Sequence, residues 1–455
     1  MCAYLISYFA ALCSSEHIYQ LYQTDLKTFL NFRLVSKICR NESEYLLFRS
    51  IAIHDRTDVG QIQLTKMIER LENNNGIARE YVKHLKIGPF KDGERLELEV
   101  SPVLEDILRS IDNLQTLAWN MNCAPLPAML DLLQELHPSA RLHLKLRNRK
   151  FKPLSSTLLS SPQLYTLDTE VYRTVPEDTG VSLSELSFIK DRLAPTLRVL
   201  RLSSRGVHTC SQRAQFGDWE SIKHRLFNLD FQPGDRFPAL LELALEHDEF
   251  FLTEENCNLW ARATSWERLQ RLDLHKGAPC HFFASLTNRA TNLKYLKFYI
   301  NSPTRNRTWD LHPLDTGLVV LARFIASTTS LHTLEFGVQD LDDLMRTLRV
   351  MLQNLNGSLR SLTISYSGGA DFSGPIDFIP GMLAWDAETY LEVLELAPSL
   401  DHLDARIGGD SVVGHWKGEV CCADAGEKWK TAEKKIKNKP KERQQRSKKV
   451  QRLIL

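Results

Sequence analysis

The 455-residue chain lacks the short motifs of several common enzyme classes. It has no GxSxG, no HExxH and no Gly-rich Rossmann turn, and Gly368-Gly369 is not followed by the Lys and Ser or Thr of a phosphate-binding loop. The acidic run at residues 340–343 lacks the Gly and the distant Glu of a calcium loop. From these absences we predict a protein that is not an enzyme and that binds no cofactor and no metal.

The nine cysteines include no CxxC pair, and the vicinal Cys421 and Cys422 have no second pair with which to complete a tetrahedral metal site. An odd number of scattered cysteines is typical of buried thiols in a reducing compartment, so we expect a cytoplasmic or nuclear protein.

A membrane-spanning or secretory segment is also missing from the opening stretch, MCAYLISYFAALC. Its thirteen residues fall short of the roughly twenty that a spanning helix needs. No Lys or Arg precedes Lys27, as the basic start of a secretory signal would require. We expect an amphipathic helix that packs on the next segment, and no membrane partner.

Overall charge bias is nearly absent, since the formal net charge is +1. Residues 428–452, however, hold twelve Lys or Arg against two acidic residues, so this end carries about +10 and the remainder about −9. We predict a disordered basic tail over residues 411–455. Its two basic clusters suit a nuclear import signal or a nonspecific phosphate contact. The alternative is a solvated tail without a role. The clusters contain Lys434, Lys435, Lys437, Lys439, Lys441, Arg446, Lys448 and Lys449.

The chain does contain a recurring pattern, Leu-x-x-Leu-x-apolar, in which the apolar positions alternate with variable polar ones. It occurs in LRVLRL (197–202), LQRLDL (269–274), LKYLKF (293–298), LHTLEF (331–336), LRSLTI (359–364) and LEVLEL (391–396). Weaker copies centre on Leu85, Leu117, Leu144, Leu167 and Leu243, and the copies follow each other at intervals of about 24 to 43 residues. Alternation predicts short strands, and Ser or Asn precedes several of the copies.

Helical periodicity fills the intervals, for example at residues 103–111 and 318–325. A strand that alternates with a returning helix predicts an α/β fold. We therefore predict an irregular leucine-rich-repeat solenoid over residues 82–410, with parallel strands on its concave face and helices on its convex face. An ordinary multilayer α/β domain is the alternative, although its buried strands would be continuously apolar.

The segment before the repeats resembles the second half of an F-box as found in fungal F-box and leucine-rich-repeat proteins. The matching residues are Asp25-Leu26, the run RLVSK (33–37) and the run LFRSI (47–51), which leads into a predicted strand. We assign residues 1–53 to a small, degenerate F-box-like helical segment and residues 54–81 to a linking helix. The resemblance implies an adaptor, Skp1, that binds through Leu26, Phe29, Leu34, Val35 and Ile38.

The first helix departs from that family, which opens it with a Leu-Pro pair. This chain has YFAALCSSEHIYQLYQ there, and no proline precedes Pro89. A plain helical cap that seals the open end of the repeat array is the alternative to an F-box.

Variable positions of the repeats are expected to project from the concave sheet, and they are our candidates for contact with a protein partner: Arg198, Arg201, Arg271, Asp273, Lys294, Tyr295, Lys297, His332, Glu335, Arg360, Glu392 and Glu395. Their charge changes sign along the array, which favours a protein over a nucleic acid. We therefore expect a protein-binding module, and by resemblance the substrate-recognition subunit of an SCF-type ubiquitin ligase. The alternatives are a repeat scaffold with no ligase link and a nuclear or nucleic-acid-associated protein that acts through its tail.

Overall fold

The structure is a computed structural model. It describes residues 45, 48–53, 77–88, 101–149, 154–172, 185–205, 229, 231–246, 253–274, 280–300, 314–338, 341–355, 357–366, 392–393, 395–397 and 399–407. The chain divides into two compact units, Met1–Glu170 and Val171–Leu455.

The first unit alternates strands and helices. Its described elements are β1 (Ser50–Ile53), α1 (Ile77–Tyr81), β2 (His84–Ile87), α2 (Ser101–Ser110), β3 (Thr116–Met121), α3 (Pro127–Leu136), β4 (Arg141–Leu146), α4 (Ser156–Leu159) and β5 (Leu164–Tyr172). Each strand pairs in parallel with the next, from β1 to β5. Parallel neighbours need a crossover, and the intervening helices supply it.

The second unit continues the alternation. Its described elements are α5 (Glu185–Arg192), β6 (Val199–Arg205), β7 (Glu242–Leu245), α6 (Glu254–Ala263), a 3₁₀ turn (Trp266–Arg268), β8 (Arg271–Asp273), α7 (Cys280–Leu286), β9 (Tyr295–Ile300), α8 (Leu314–Ser327), β10 (Thr333–Val338), α9 (Leu341–Asn354), β11 (Ser361–Tyr366) and β12 (His402–Ile407). The strands β6 to β12 are paired in parallel, each with its neighbour in the chain. Both units are thus α/β repeats of the leucine-rich type, as predicted.

The repeated leucines form the core. In the second unit the central leucine of each strand stands in register with that of the next, in a column that runs Leu200, Leu243, Leu272, Leu296, Leu334, Leu362 and Leu403. The first six are fully buried. Burial of one such side chain contributes about 1.5–3 kcal/mol, so the column accounts for much of the cohesion between neighbouring strands.

Helices cover the buried side of these strands. The ring of Phe283 in α7 meets that of Phe298 in β9 edge-on at 5.6 Å between centroids, and it stacks on Phe324 of α8 at 5.0 Å. A second cluster of buried rings joins Trp260 of α6 and Phe282 of α7 to Trp266 of the 3₁₀ turn and to Phe231 and Phe237 of the non-helical segment before β7. Side chains that alternate with the core leucines are consequently left on the outward face.

A backbone ladder fixes where each strand starts. The carbonyl oxygen of Lys294, just before β9, accepts hydrogen bonds from the N–H groups of His332 and Thr333, both at 2.9 Å. The same two-to-one pattern recurs at the carbonyls of Lys83, Arg198, Leu241, Gln270, His332 and Arg360. It satisfies the polar backbone groups in the turns and holds the register from one repeat to the next.

The Ser that precedes several motif copies has a related role. The hydroxyls of Ser358 and Ser399 each donate at 2.8 Å to the carbonyl of the first leucine of the preceding repeat, Leu331 and Leu359 respectively. The Ser-Leu pairs seen in the sequence thereby link neighbouring turns.

One predicted strand is wrong. Residues 392–393 and 395–396 of LEVLEL are helical, and the next repeat strand is β12, whose motif is carried by Leu400, Leu403 and Ala405. The spacing i, i+3 suits a helix as well as a repeat, and periodicity alone does not separate the two. Alanine at the last motif position concealed the true copy.

Several predictions lie outside the described residues. These are the opening helix, the F-box-like positions Leu26, Phe29, Leu34, Val35 and Ile38, most of the linking helix, and the basic tail with all its lysines and arginines. Of the linking helix only α1 is described, and it is helical. The strand predicted over the alternating segment from Phe48 to Ile53 is confirmed as β1 for Ser50–Ile53, whereas residues 48 and 49 are helical.

Candidate functional site

The outward face of the second unit presents side chains in straight rows, because neighbouring strands are in register. The first row consists of Val199, Glu242, Arg271, Tyr295, Thr333, Ser361 and His402. The second row consists of Arg201, Ala244, Asp273, Lys297, Glu335 and Thr363. Strands lie about 4.8 Å apart, so side chains within a row are direct neighbours.

Glu242 of β7 joins two arginines across this face. Its Oε1 lies 2.8 Å from Nε of Arg201 and 3.3 Å from Nε of Arg271. The glutamate side chain is only 16% exposed, whereas the arginines are 39% and 41% exposed. A half-buried carboxylate therefore holds two accessible guanidinium groups in place.

Arg271 also stacks on an aromatic ring. Its guanidinium carbon lies 3.5 Å from the ring centroid of Tyr295, its direct neighbour in the row. Burial raises the pKa of the Tyr295 phenol, and the charge of Glu335 and a hydrogen bond to it raise the pKa further, against the opposing effect of Arg271. Tyr295 therefore stays neutral at physiological pH, with its hydroxyl donating to Glu335.

Lys297 closes the series. Its Nζ lies 3.7 Å from Oε2 of Glu335, and both side chains are about one-third exposed. The contacts thus form one continuous chain across five strands, β6 to β10, through Arg201, Glu242, Arg271, Tyr295, Glu335 and Lys297. We call these six residues the outward network. Within it each charged group has a partner of opposite charge.

A tyrosine lies next to the network, in the following row. An ideal Cβ built on Gly337 of β10 would lie 2.0 Å from Cε2 of Tyr299, its neighbour on β9. The Tyr299 ring therefore occupies the space that a side chain at position 337 would take. A glycine within a strand marks such a close approach.

The structure brings together half of the predicted contact residues. Arg201, Arg271, Asp273, Tyr295, Lys297 and Glu335 share the two outward rows. Arg198, Lys294, His332 and Arg360 lie instead one residue before their strands, in the turns that form the backbone ladder. Of these four, Arg198, His332 and Arg360 make side-chain bonds to carbonyls of nearby turns.

Glu392 and Glu395 do not belong to the outward face. Glu392 and Glu395 lie in the helical residues 392–393 and 395–396, and Glu392 forms a bidentate ion pair with Arg349 of α9, in which Nη2 and Oε2 are 2.9 Å apart. This pairing lowers the pKa of the Glu392 carboxyl. The correction follows from the misassigned strand at 391–396.

Sequence reasoning missed Glu242, Tyr299 and Gly337. Glu242 precedes the central leucine of a weak motif copy, and its importance comes from the two arginines that register places beside it. Tyr299 and Gly337 stand one position beyond the six-residue pattern. Extending each copy by two residues would have included them.

Chemistry of an enzymatic kind is not evident in the part of the chain that the structure describes. No three His, Cys, Asp or Glu side chains there are grouped so that they could hold a metal ion. Burial raises the pKa of the Cys257 thiol to about 12 and that of Cys280 to about 11, so neither is a thiolate at neutral pH. Among the described helices, none has the length and apolar character needed to cross a membrane.

Comparisons with known proteins give only distant likenesses. No protein-family model matches the sequence, and no curated protein matches it. The solved structures include similar chains. A leucine-rich repeat-containing protein, LegL7 from Legionella pneumophila, is 13% identical with a TM-score of 0.30, and the alignment covers 85% of this chain and 93% of that one.

A chain in the complex of Rad7 and Elc1 from yeast is also 13% identical, with a TM-score of 0.38. That alignment covers 86% of this chain and 96% of that one. An identity of 13% with TM-scores of 0.30 and 0.38 assigns no function to this chain.

Proposed function

We propose that the chain is a non-catalytic protein-binding module that holds a protein target against the outward face of the second unit. We further propose that it serves as the substrate-recognition subunit of an SCF-type ubiquitin ligase, with Skp1 docked on residues 18–50. The observation that carries the binding role is the outward network, a row of arginine and tyrosine side chains fixed by their own ion pairs.

The composition of the network supports protein binding. Arginine and tyrosine are the residue types that most often dominate protein interfaces, and Arg271 stacked on Tyr295 presents both at one place. Because the side chains are already held by Glu242 and Glu335, a partner would lose less conformational entropy on ordering them. Preorganisation of this kind favours tight binding from a small number of contacts.

The alternation of charge supports a protein target over a nucleic acid. Phosphate backbones are bound by unopposed lysines and arginines, whereas Glu242, Asp273 and Glu335 alternate with the cations of the network. A partner with the opposite alternation would match this face and be selected by it.

The ligase link is supported by the order of the segments. The F-box-like runs RLVSK and LFRSI lead directly into β1, which pairs with β2 as the first strand of the first unit. An adaptor bound on residues 18–50 would then sit beside the start of the repeats. A scaffold with no ligase link has the same repeats but would not bind Skp1.

Co-purification with Skp1 separates these two functions. We expect the full chain to retain the adaptor, and a Leu34→Asp, Val35→Asp variant to lose it, because charged residues would occupy the apolar binding positions. The control is Arg271→Ala, Tyr295→Ala, which should keep the adaptor. If wild type and the Leu34→Asp, Val35→Asp variant recover equally little Skp1, the chain is not an SCF subunit.

Recovery of the target tests the binding face independently. Loss of an interface anchor commonly costs about 2 kcal/mol or more, which is roughly thirtyfold in affinity. We expect proteins that co-purify with wild type to be lost from Arg271→Ala, Tyr295→Ala and kept by Arg262→Ala, Arg323→Ala, which changes exposed arginines on α6 and α8. If the two double variants recover the same proteins in equal amounts, the outward face of the second unit is not the target-binding surface.

A further inference from the structure

The outward face of the first unit differs from that of the second in its charge. Its permanently charged outward residues on β2 and β4 are Lys86, Arg141 and Lys145, all of them exposed and all basic. β5 carries two outward carboxylates. Asp168 stands opposite Lys145 in register, but it is buried and lies 2.7 Å from Nη2 of Arg147, and Oε2 of Glu170 accepts a hydrogen bond from the backbone N–H of Asn148 at 2.8 Å. On β2, β3 and β4 themselves, the described outward charges are therefore all basic, whereas the outward network alternates in sign.

Two histidines lie among these cations, and each is bonded to a threonine on the next strand. Nδ1 of His84 is 2.8 Å from Oγ1 of Thr116, and Nδ1 of His143 is 2.9 Å from Oγ1 of Thr166. Both pairs are directly opposite in register. In the tautomer in which each threonine hydroxyl donates to Nδ1, the Nε2–H group of the ring is the donor that remains for a ligand.

Basic groups surround the two histidines. Burial lowers the pKa of His143, and the charges of Arg141 and His84 lower it further. Burial likewise lowers the pKa of His84, with Arg49 adding to the effect. The charged neighbours that act on the two rings are all basic.

A bulge brings an aromatic ring to the same place. The register between β4 and β5 shifts after Leu142, so that Leu142 faces Leu164 while His143 faces Thr166, and Tyr165 is the extra residue. Its ring lies 4.7 Å from the guanidinium carbon of Arg141 and 5.4 Å from the ring of His143. Bulges of this kind redirect a side chain and are common beside binding sites.

We propose that the outward face of β2 to β4 is a second interaction surface and that it binds an acidic polypeptide segment in an extended conformation. Lys86, Arg141 and Lys145 pair with carboxylates, the histidine Nε2 groups donate to them, and Tyr165 provides an aromatic floor beside Arg141. Three strands span about 10 Å, which matches three or four extended residues. The residues involved are distinct from the outward network, so this surface does not depend on the proposed target site.

An acidic polypeptide fits this surface better than a nucleic acid. The described face offers three permanent cations, too few for the six to ten phosphate contacts typical of nucleic-acid binding. Arg141 and the imidazole N–H groups are directional donors that suit planar carboxylates. The size and the chemistry of the patch therefore both favour a short acidic segment.

The test uses fluorescein-labelled octaglutamate and the full chain, with binding followed by fluorescence anisotropy at low salt. We expect Lys86→Glu, Lys145→Glu to weaken binding about tenfold. The control is Arg109→Glu, Arg262→Glu, which makes the same net charge change on exposed helix positions and should weaken binding less than twofold. An equal loss in both variants would mean that octaglutamate responds only to overall charge, and would overturn the proposal.

Carbodiimide coupling shows where the peptide binds, because it joins a carboxylate to a lysine amine in direct contact. We expect octaglutamate adducts on Lys86 and Lys145 after peptide mapping. Adducts confined to the basic residues 428–449 would overturn the proposal. A single-stranded octanucleotide serves as a competing probe. If it binds more tightly than octaglutamate, and if Lys86→Glu, Lys145→Glu abolishes its binding, the surface is a nucleic-acid site and the proposal is overturned. Neither the binding assay nor the coupling experiment involves Arg271 or Tyr295. Failure of the acidic-segment proposal is therefore distinguishable from failure of the proposed target site.

Discussion

Gly337 gives a quantitative test of how closely the side chains of the outward face pack. Replacement by alanine would place Cβ 2.0 Å from Cε2 and 2.1 Å from Cδ2 of Tyr299, and 2.8 Å from Oγ of Ser365. Carbon atoms pack at about 3.5–4.0 Å, so the Tyr299 ring would have to move by roughly 1.5 Å or more. Overpacking of this size typically costs about 1–3 kcal/mol.

Part of that cost is recovered, because alanine is favoured over glycine within a strand by about 0.5–1 kcal/mol. The net destabilisation expected for Gly337→Ala is therefore about 0–2.5 kcal/mol. In a Tyr299→Ala background the obstructing ring is gone, and Gly337→Ala should be neutral or slightly stabilising. The gain from alanine is the same in both backgrounds, so the coupling between the two substitutions should equal the overpacking cost, about 1–3 kcal/mol.

Native-state hydrogen exchange of the β9, β10 and β11 amides is the appropriate assay. The chain has two compact units, so a single global unfolding transition need not describe it, whereas exchange reports the stability of these strands directly. If Gly337→Ala costs the same with and without Tyr299, the ring does not lie over Gly337 and the close packing of this row is refuted.

Three further predictions concern the repeats. Leu296→Ala should lower the stability of β8, β9 and β10 by about 2–5 kcal/mol in native-state hydrogen exchange, against less than about 0.5 kcal/mol for the exposed Lys294→Ala. Ser358→Ala, which removes the hydrogen bond to the Leu331 carbonyl, should cost about 1 kcal/mol by the same assay, and no change would mean that the hydroxyl does not link the turns. The lowered pKa of His143 means that the unfolded chain takes up a proton near pH 6.5 before the folded chain does, so this residue contributes a loss of stability as the pH falls from 7.5 to 5.5. His143→Gln should reduce that loss; a pH dependence of stability equal to that of the wild type would contradict the pKa shift.

The core of the repeats was predictable because it follows from the spacing of the leucines along the sequence. Leu272, Leu296 and Leu334 occupy the same place in successive copies, and a parallel sheet in register puts equal places side by side. Burial then follows from the alternation of apolar and polar residues. The helices at 101–110 and 314–327 were predictable for the same kind of reason, a 3.6-residue period.

The LEVLEL segment shows where spacing fails. Its leucines satisfy the strand motif and a helical face equally, and the ion pair between Glu392 and Arg349 depends on a helix 43 residues earlier in the chain. No local pattern contains that contact. The β12 copy was missed for the opposite reason, since Ala405 stands where the pattern expects a large apolar residue.

The candidate site was predictable as a set of positions but not as a network. The list of alternate residues included Arg201, Arg271 and Tyr295, yet Glu242, which joins the two arginines, lies in a weak copy of the motif. The basic face of the first unit was missed altogether, because β4 reads Leu-x-Leu-x-Leu and β5 is interrupted by the bulge at Tyr165. Contacts between side chains on different strands depend on the register of the strands. That register is known only once the chain is folded, so no local sequence pattern reveals these contacts.

Photo-cross-linking tests the central claim that the outward face of the second unit holds the protein target. A benzoylphenylalanine at position 297, beside Tyr295 and Glu335 on that face, is compared with one at position 262, exposed on α6. We expect defined cross-linked products from position 297 that disappear when Tyr295→Ala is added, and none of the same mass from position 262. Products that are the same at both positions, or that persist unchanged with Tyr295→Ala, would contradict the account.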